Sequence, residues 1–213
     1  MLKTVALVFV VLLGMQSNAN CAVYQWVDEK GGVHFSDQPP LTNRKVAAPP
    51  PADTSRARSF PLPRHGALVL TVPASWDQEV RQAPEGLPPT IVLTPRDGDD
   101  FEVLITPFWS LKNEPGFNSA TATKRLVGGD LVKLLPTAVE RDVQLVEIPG
   151  KYGAGYYFLL TDKAPGTGYP HMARAGIGVG DLLLYVTVLC RSKDSEGLRQ
   201  AILALQGAVH TKG

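Results

Sequence analysis

Cysteine, net charge and long apolar runs are all scarce in this chain. Its 213 residues hold two cysteines, Cys21 and Cys190, so a single disulfide is the most it can form with itself. The four histidines, His34, His65, His171 and His210, show no His-x-x-x-His spacing and have no cysteine close by. That pattern argues against a zinc site. The formal net charge is +1, whereas nucleic-acid binders usually carry a basic face or stripe, so no nucleic-acid partner is expected. The apolar run Val5–Leu13 covers nine residues, well short of the roughly 20 a membrane span needs. There is also no Gly-x-Ser-x-Gly elbow and no Ser-x-x-Lys pair to mark a nucleophile.

What is present begins with an export signal. Lys3, the short apolar run and the small and polar residues behind it have the layout of a secretory peptide. Cleavage after Ala19 or after Ala22 suits the small residues, and the triplet Ser17-Asn18-Ala19 favours the first, giving a signal over 1–19. Export is therefore expected, to the periplasm in a Gram-negative cell, with no membrane span once the signal is removed. Asn20 before Cys21, with no leucine three residues ahead of that cysteine, argues against a lipid anchor there. If Cys21 survives processing, an oxidising compartment permits a Cys21–Cys190 bridge. If it is lost, Cys190 is a solitary buried thiol, and the expectation leans to no disulfide.

Behind the signal, Tyr24 and Trp26 alternate with Gln25 and Val27, and Val33 and Phe35 alternate with His34 and Ser36. Period two on both sides of a Gly31-Gly32 turn predicts a small aromatic β-hairpin over 23–40, closed by Pro39-Pro40. A lone hairpin is marginal in water, so its aromatic face should rest on something. These residues resemble an uncharacterised bacterial family, domain of unknown function 4124. Its motif runs tyrosine, spacer, tryptophan, valine, aspartate, a glycine turn, a histidine-aromatic-serine strand and a proline pair. The resemblance implies a Gram-negative envelope protein and brings no activity with it.

Residues 41–65 read as a linker, with Pro49, Pro50, Pro51, Pro61 and Pro63 imposing extended stretches and Arg44, Lys45, Arg56, Arg58 and Arg64 making it basic. From Gly66 to 210 the pattern is that of a folded α+β domain. Strands are expected at Leu68–Val72, Thr90–Thr94 and Phe101–Thr106, the last two joined by a turn with Asp97-Gly98. A helix follows from Asn118 or Ser119 to Leu135, then strands at Val143–Ile148, Tyr152–Thr161, His171–Gly178 and Leu182–Cys190. A final helix, capped by Ser192 or Asp194, carries the stripe Leu198, Ile202, Leu205 and Val209. Short hairpins make the sheet mainly antiparallel, with two helices packed on it. This order, together with Val72-Pro73-Ala74-Ser75-Trp76, resembles the PsbP-like fold of the photosystem extrinsic subunit and certain bacterial envelope lipoproteins. That resemblance implies a PsbP-like sandwich and mostly non-catalytic docking on larger assemblies.

Each candidate site has a plainer reading beside it. Gly176-Ile177-Gly178-Val179-Gly180-Asp181 superficially looks like a phosphate loop, but no helix follows it, so a hairpin turn is expected. Asp97, Asp99 and Asp100 lack the spacing of a calcium loop. Cys190 at the end of an apolar strand suits burial better than nucleophilic work. Exposed aromatics are the stronger clue: Tyr24, Trp26 and Phe35 in the hairpin, and Phe108 and Trp109 beside Pro115-Gly116, are the candidate contact surface. No catalytic, metal or cofactor residue is expected. The function that results is a non-enzymatic accessory or scaffolding protein of the envelope, bound to an envelope protein partner. The alternative is a reader of cell-wall glycan or peptidoglycan through the hairpin, and a hydrolase with an unrecognised site is a remote third.

Overall fold

The computed structural model describes residues 24–27, 33–36, 54–112, 114–166 and 168–212. The expected signal segment, Cys21, the expected hairpin turn and positions 37–53 lie outside the described residues. The chain divides into two compact units, Met1–Ala48 and Pro49–Gly213.

In the first unit β1 (Tyr24–Val27) pairs antiparallel with β2 (Val33–Ser36). The register opposes Trp26 with His34 and Gln25 with Phe35. Directly opposed positions share one side of a ladder, so Tyr24 and Trp26 fall on one side and Phe35 on the other.

The second unit opens with a strand where a linker was expected. β3 (Ser55–Pro61) pairs along its whole length with β4 (Ala67–Pro73). Phe60 and Leu62 are buried, at 2% and 3% exposure, and fix the strand to the core. Arg58 is a clamp: its guanidinium donates to the Pro73 carbonyl at 3.1 Å and to Gln78 Oε1 at 3.2 Å. Proline and arginine content masked the strand, because Pro61 closes it, where no ladder amide is needed.

β4 joins a three-stranded sheet in the order β12-β4-β3, with β12 at Val209–Thr211. The seven-stranded sheet contains β5 (Trp76–Arg81), β6 (Thr90–Pro95), β7 (Phe101–Trp109), β8 (Val146–Ile148), β9 (Gly155–Thr161), β10 (His171–Val179) and β11 (Leu182–Cys190). Its spatial order is β5-β6-β7-β11-β10-β9-β8, and every pairing is antiparallel. Two helices complete the unit, α1 (Ala120–Leu134) and α2 (Glu196–Gln206).

Alternation along the strands assigns each face. Ala173, Ala175 and Ile177 of β10 and Leu184, Val186 and Val188 of β11 point into the main core. That core also takes Leu68, Leu70 and Val72 from the small sheet and Leu198, Ala201 and Leu205 from α2. Phe158 and Leu160 of β9 point the other way, against Val127 and Leu131 of α1. Gly176 lets α1 come close to β10, since a Cβ there would stand 3.0 Å from Thr123 and Val127 side-chain carbons. Ser119 caps α1 by accepting from the Ala122 amide at 3.3 Å.

The α+β class with mainly antiparallel strands is therefore what the chain adopts, and three details differ from expectation. β5 went unseen because five of its six residues are exposed and mostly polar, the composition of a sheet edge. Val209 belongs to β12 rather than to the last helix, whose end comes at Gly207. The cap of α2 is Ser195, not Ser192 or Asp194. Cys190 is fully buried in the main core, with no disulfide partner among the described residues, and burial pushes its thiol above the usual range.

Candidate functional site

A cleft of about 430 Å³ opens at one end of the second unit. Five chain segments meet there: the β3–β4 turn, the end of β7, the loop before α1, the β10–β11 turn, and β12 with its exit. The β3–β4 turn is tight, with the His65 amide donating to the Leu62 carbonyl at 2.9 Å and the Leu62 amide to the Gly66 carbonyl at 2.8 Å. Its Pro63-Arg64 centre puts Arg64 at φ +64°. This is a left-handed conformation that glycine adopts freely and an arginine rarely does.

His65 stacks on Trp109, with ring centroids 4.1 Å apart and planes inclined by 19°. His210 lies beside them with both ring nitrogens engaged. The Asp181 amide donates to Nδ1 at 3.3 Å, which makes Nδ1 an acceptor, so Nε2 carries the hydrogen it shares with the His65 carbonyl at 2.7 Å. Asp181 also pairs with Lys212 at 2.8 Å, and that ammonium holds its carboxyl below the usual range. Asn118 donates to the Gly180 and Leu182 carbonyls at 2.8 and 3.1 Å, tying the loop before α1 to the β10–β11 turn. The expected turn at Gly180 is present, with φ +58°. A Cβ on the neighbouring Gly178 would overlap the Asn118 carbonyl.

Two charged groups of the cleft are left over. The Arg64 guanidinium and the Glu114 carboxylate have no hydrogen bond or ion pair among the described residues. A second recess of about 470 Å³ shares Arg64, His65 and Trp109 with the first. It is lined on its far side by Leu87 and Leu111, which are 56% and 80% exposed. The His65–Trp109 stack therefore stands between a polar cleft and a more apolar one.

Of the aromatic residues singled out in the sequence, Trp109 lines this site and Phe108 does not. Adjacent strand residues point to opposite faces. Phe108 lies edge-on to Tyr185 at 6.3 Å on the far face of β7, so the two never form one surface. Beside it, Tyr185 donates to Asp130, and burial, with that bond behind it, pushes its hydroxyl up to about 12, although Arg174 pulls the other way. Tyr24, Trp26 and Phe35 belong to the other unit. Asp99, from the acidic turn, pairs with Arg191, and the Asp100 carbonyl accepts from the Arg191 amide at 3.0 Å. Among the described residues no three His, Cys, Asp or Glu side chains are grouped to hold a metal ion. None of Arg64, His65, Glu114, Asp181 and His210 was expected as a site residue: Arg64 read as linker charge, His65 and His210 as histidines without ligand spacing and Asp181 as part of a turn, and the one local signal was the turn chemistry of Leu62–Gly66. His65 and His210 meet across 145 positions, which no spacing rule reports.

No curated protein matches the chain. Among solved structures it is similar to one from Bacteroides thetaiotaomicron VPI-5482, at 15% identity and a TM-score of 0.44, covering 68% of this chain and 45% of that one. The chain thus spans less than half the length of that protein. It is also similar to the solution structure of cyanobacterial PsbP (CyanoP) from Synechocystis sp. PCC 6803, at 8% identity and a TM-score of 0.44, covering 78% of this chain and 99% of that one. At the other end of the chain, residues 10–59 match the family described as Domain of unknown function (DUF4124), the stretch to which the Tyr24–Pro40 motif points.

Proposed function

We propose that the protein is an exported, non-catalytic accessory protein of the cell envelope, with the Trp109 cleft as its contact site. The observation that carries this reading is the division of labour in the cleft. His210 and the Asp181–Lys212 pair are committed to holding the walls together, while Arg64 and Glu114 line the cleft with no partner among the described residues, beside a flat aromatic stack. Unpaired polar groups of opposite sign beside a flat aromatic surface suit holding a ligand in place. Export is supported by Lys3 and the Val5–Leu13 run, and among the described residues no helix is long and apolar enough to cross a membrane.

A photoreactive residue at Leu111, 80% exposed at the rim of the second recess, tests the reading in intact cells. Val132, 74% exposed on α1, provides the matched control. The expected result is a crosslinked envelope component from position 111 that is missing from position 132. Identical patterns from the two positions, or a protein found wholly in the cytoplasm, would sink the proposal.

A second reading keeps the hairpin as a glycan platform, because the register leaves Tyr24 and Trp26 on one side of the ladder. Here wild type should sediment with insoluble cell wall and Trp26→Ala should remain in the supernatant. No sedimentation of wild type removes this reading.

A further inference from the structure

We infer that the Trp109 cleft takes an uncharged, hydroxyl-rich saccharide chain longer than one ring. The inference rests on the reading of the cleft as a contact site and adds the chemistry of what it contacts. Arg64 and Glu114 are planar groups of opposite sign on one cleft, both unpaired among the described residues. With Asp181 and Lys212 paired to each other, an anion would satisfy Arg64 and be repelled by Glu114, and a cation would meet the reverse problem. Sugar hydroxyls answer both at once, since each one donates to a carboxylate and accepts from a guanidinium. The His65–Trp109 stack supplies a flat apolar edge for the C–H face of a ring.

Length comes from the second recess. It continues past the stack, sharing Arg64, His65 and Trp109, and offers exposed Leu87 and Leu111 to apolar substituents. A single ring would leave one of the two recesses empty. Arg64 supports the assignment independently. Its left-handed conformation is one that glycine would adopt more readily. Nothing among the described residues pairs with the guanidinium, which leaves it open to a ligand.

Calorimetric titration of the full chain decides the matter, using a tetramer of N-acetylglucosamine as probe. The monomer and a polygalacturonate oligomer are the comparisons. Saturable binding of the neutral tetramer is expected, weaker for the monomer and little changed by added salt. Arg64→Gly should weaken it about tenfold while melting no lower than wild type, because glycine relieves the turn. Trp26→Ala should leave it unchanged. Absence of binding by the neutral tetramer overturns the inference, as does equal binding by Arg64→Gly, or binding confined to the charged oligomer with a steep salt dependence. If the tetramer fails while Leu111 still crosslinks a partner, the saccharide falls and the contact site stands. If both fail, the contact site falls too.

Discussion

Phe158→Ala should lower the unfolding free energy by about 3–5 kcal/mol, the largest loss expected of any single change described here. Phe158 is fully buried and sits at the centre of a small cluster made by α1 and β9, with Val127, Leu131, Ala138 and Leu160. That cluster is separate from the main core, so few neighbours can collapse into the space an alanine leaves. A folded domain holds only about 5–15 kcal/mol in all, so the variant loses a large share of its reserve. Urea denaturation should show a lower midpoint with an unchanged slope. A loss under about 1 kcal/mol, the size of an ordinary surface change, would mean that α1 is not packed on β9 as described. Leu111→Ala, at a site 80% exposed, is the matching control and should be close to neutral.

The second large effect depends on pH. Glu140 accepts from the Thr161 amide at 2.8 Å, from the Thr161 hydroxyl at 2.7 Å and from Lys193 at 2.6 Å. Burial on its own would raise the carboxyl, but these three donors outweigh it and hold it at about 2, against an ordinary value of 4.5. A carboxyl depressed on folding contributes its stability above the unfolded value and loses it as the pH falls. The contribution is therefore complete above pH 4.5 and disappears as the pH drops from 4.5 toward 2. Lys193 is half exposed, so solvent screens part of the pairing, and a loss on the order of 2 kcal/mol is expected. Glu140→Gln should be less stable than wild type at neutral pH, with the gap closing in that acid window. Parallel pH curves for the two proteins would show that Glu140 is not held in this network.

Most of the strands and both helices were legible because their apolar residues keep a period. Phe101–Pro107 alternates cleanly, Leu182–Cys190 is a continuous β-rich apolar run, and Val127 and Leu131 recur four apart on α1. The misses share a cause: in each, side-chain composition spoke for something other than the local conformation. β3 buries one of its own residues, Phe60, within a run of serines, arginines and proline, and β5 buries Trp76 within mostly polar residues. Val209 fell on the helical period by coincidence, although Gly207 had already ended the helix. In the site, Trp109 was visible as an aromatic out of pattern. Its neighbour Phe108 was joined to it by adjacency in sequence, which in a strand places residues on opposite sides. His65, His210 and Asp181 were invisible because tertiary closure alone brings them together.

That closure has a consequence for when the cleft exists. The register of β12 with β4 places His210 opposite Leu68 and Thr211 opposite Ala67. One wall of the cleft is thus laid down at the start of the second unit and the other more than 140 positions later. Contacts at such separation form after the entropy of a long loop has been overcome, so a partly folded or unfinished chain has no cleft to offer. For a chain threaded across a membrane before it folds, the cleft would then act as a certificate of maturity. A ligand that fits it would engage finished molecules alone and, by mass action, favour their persistence over every incomplete form.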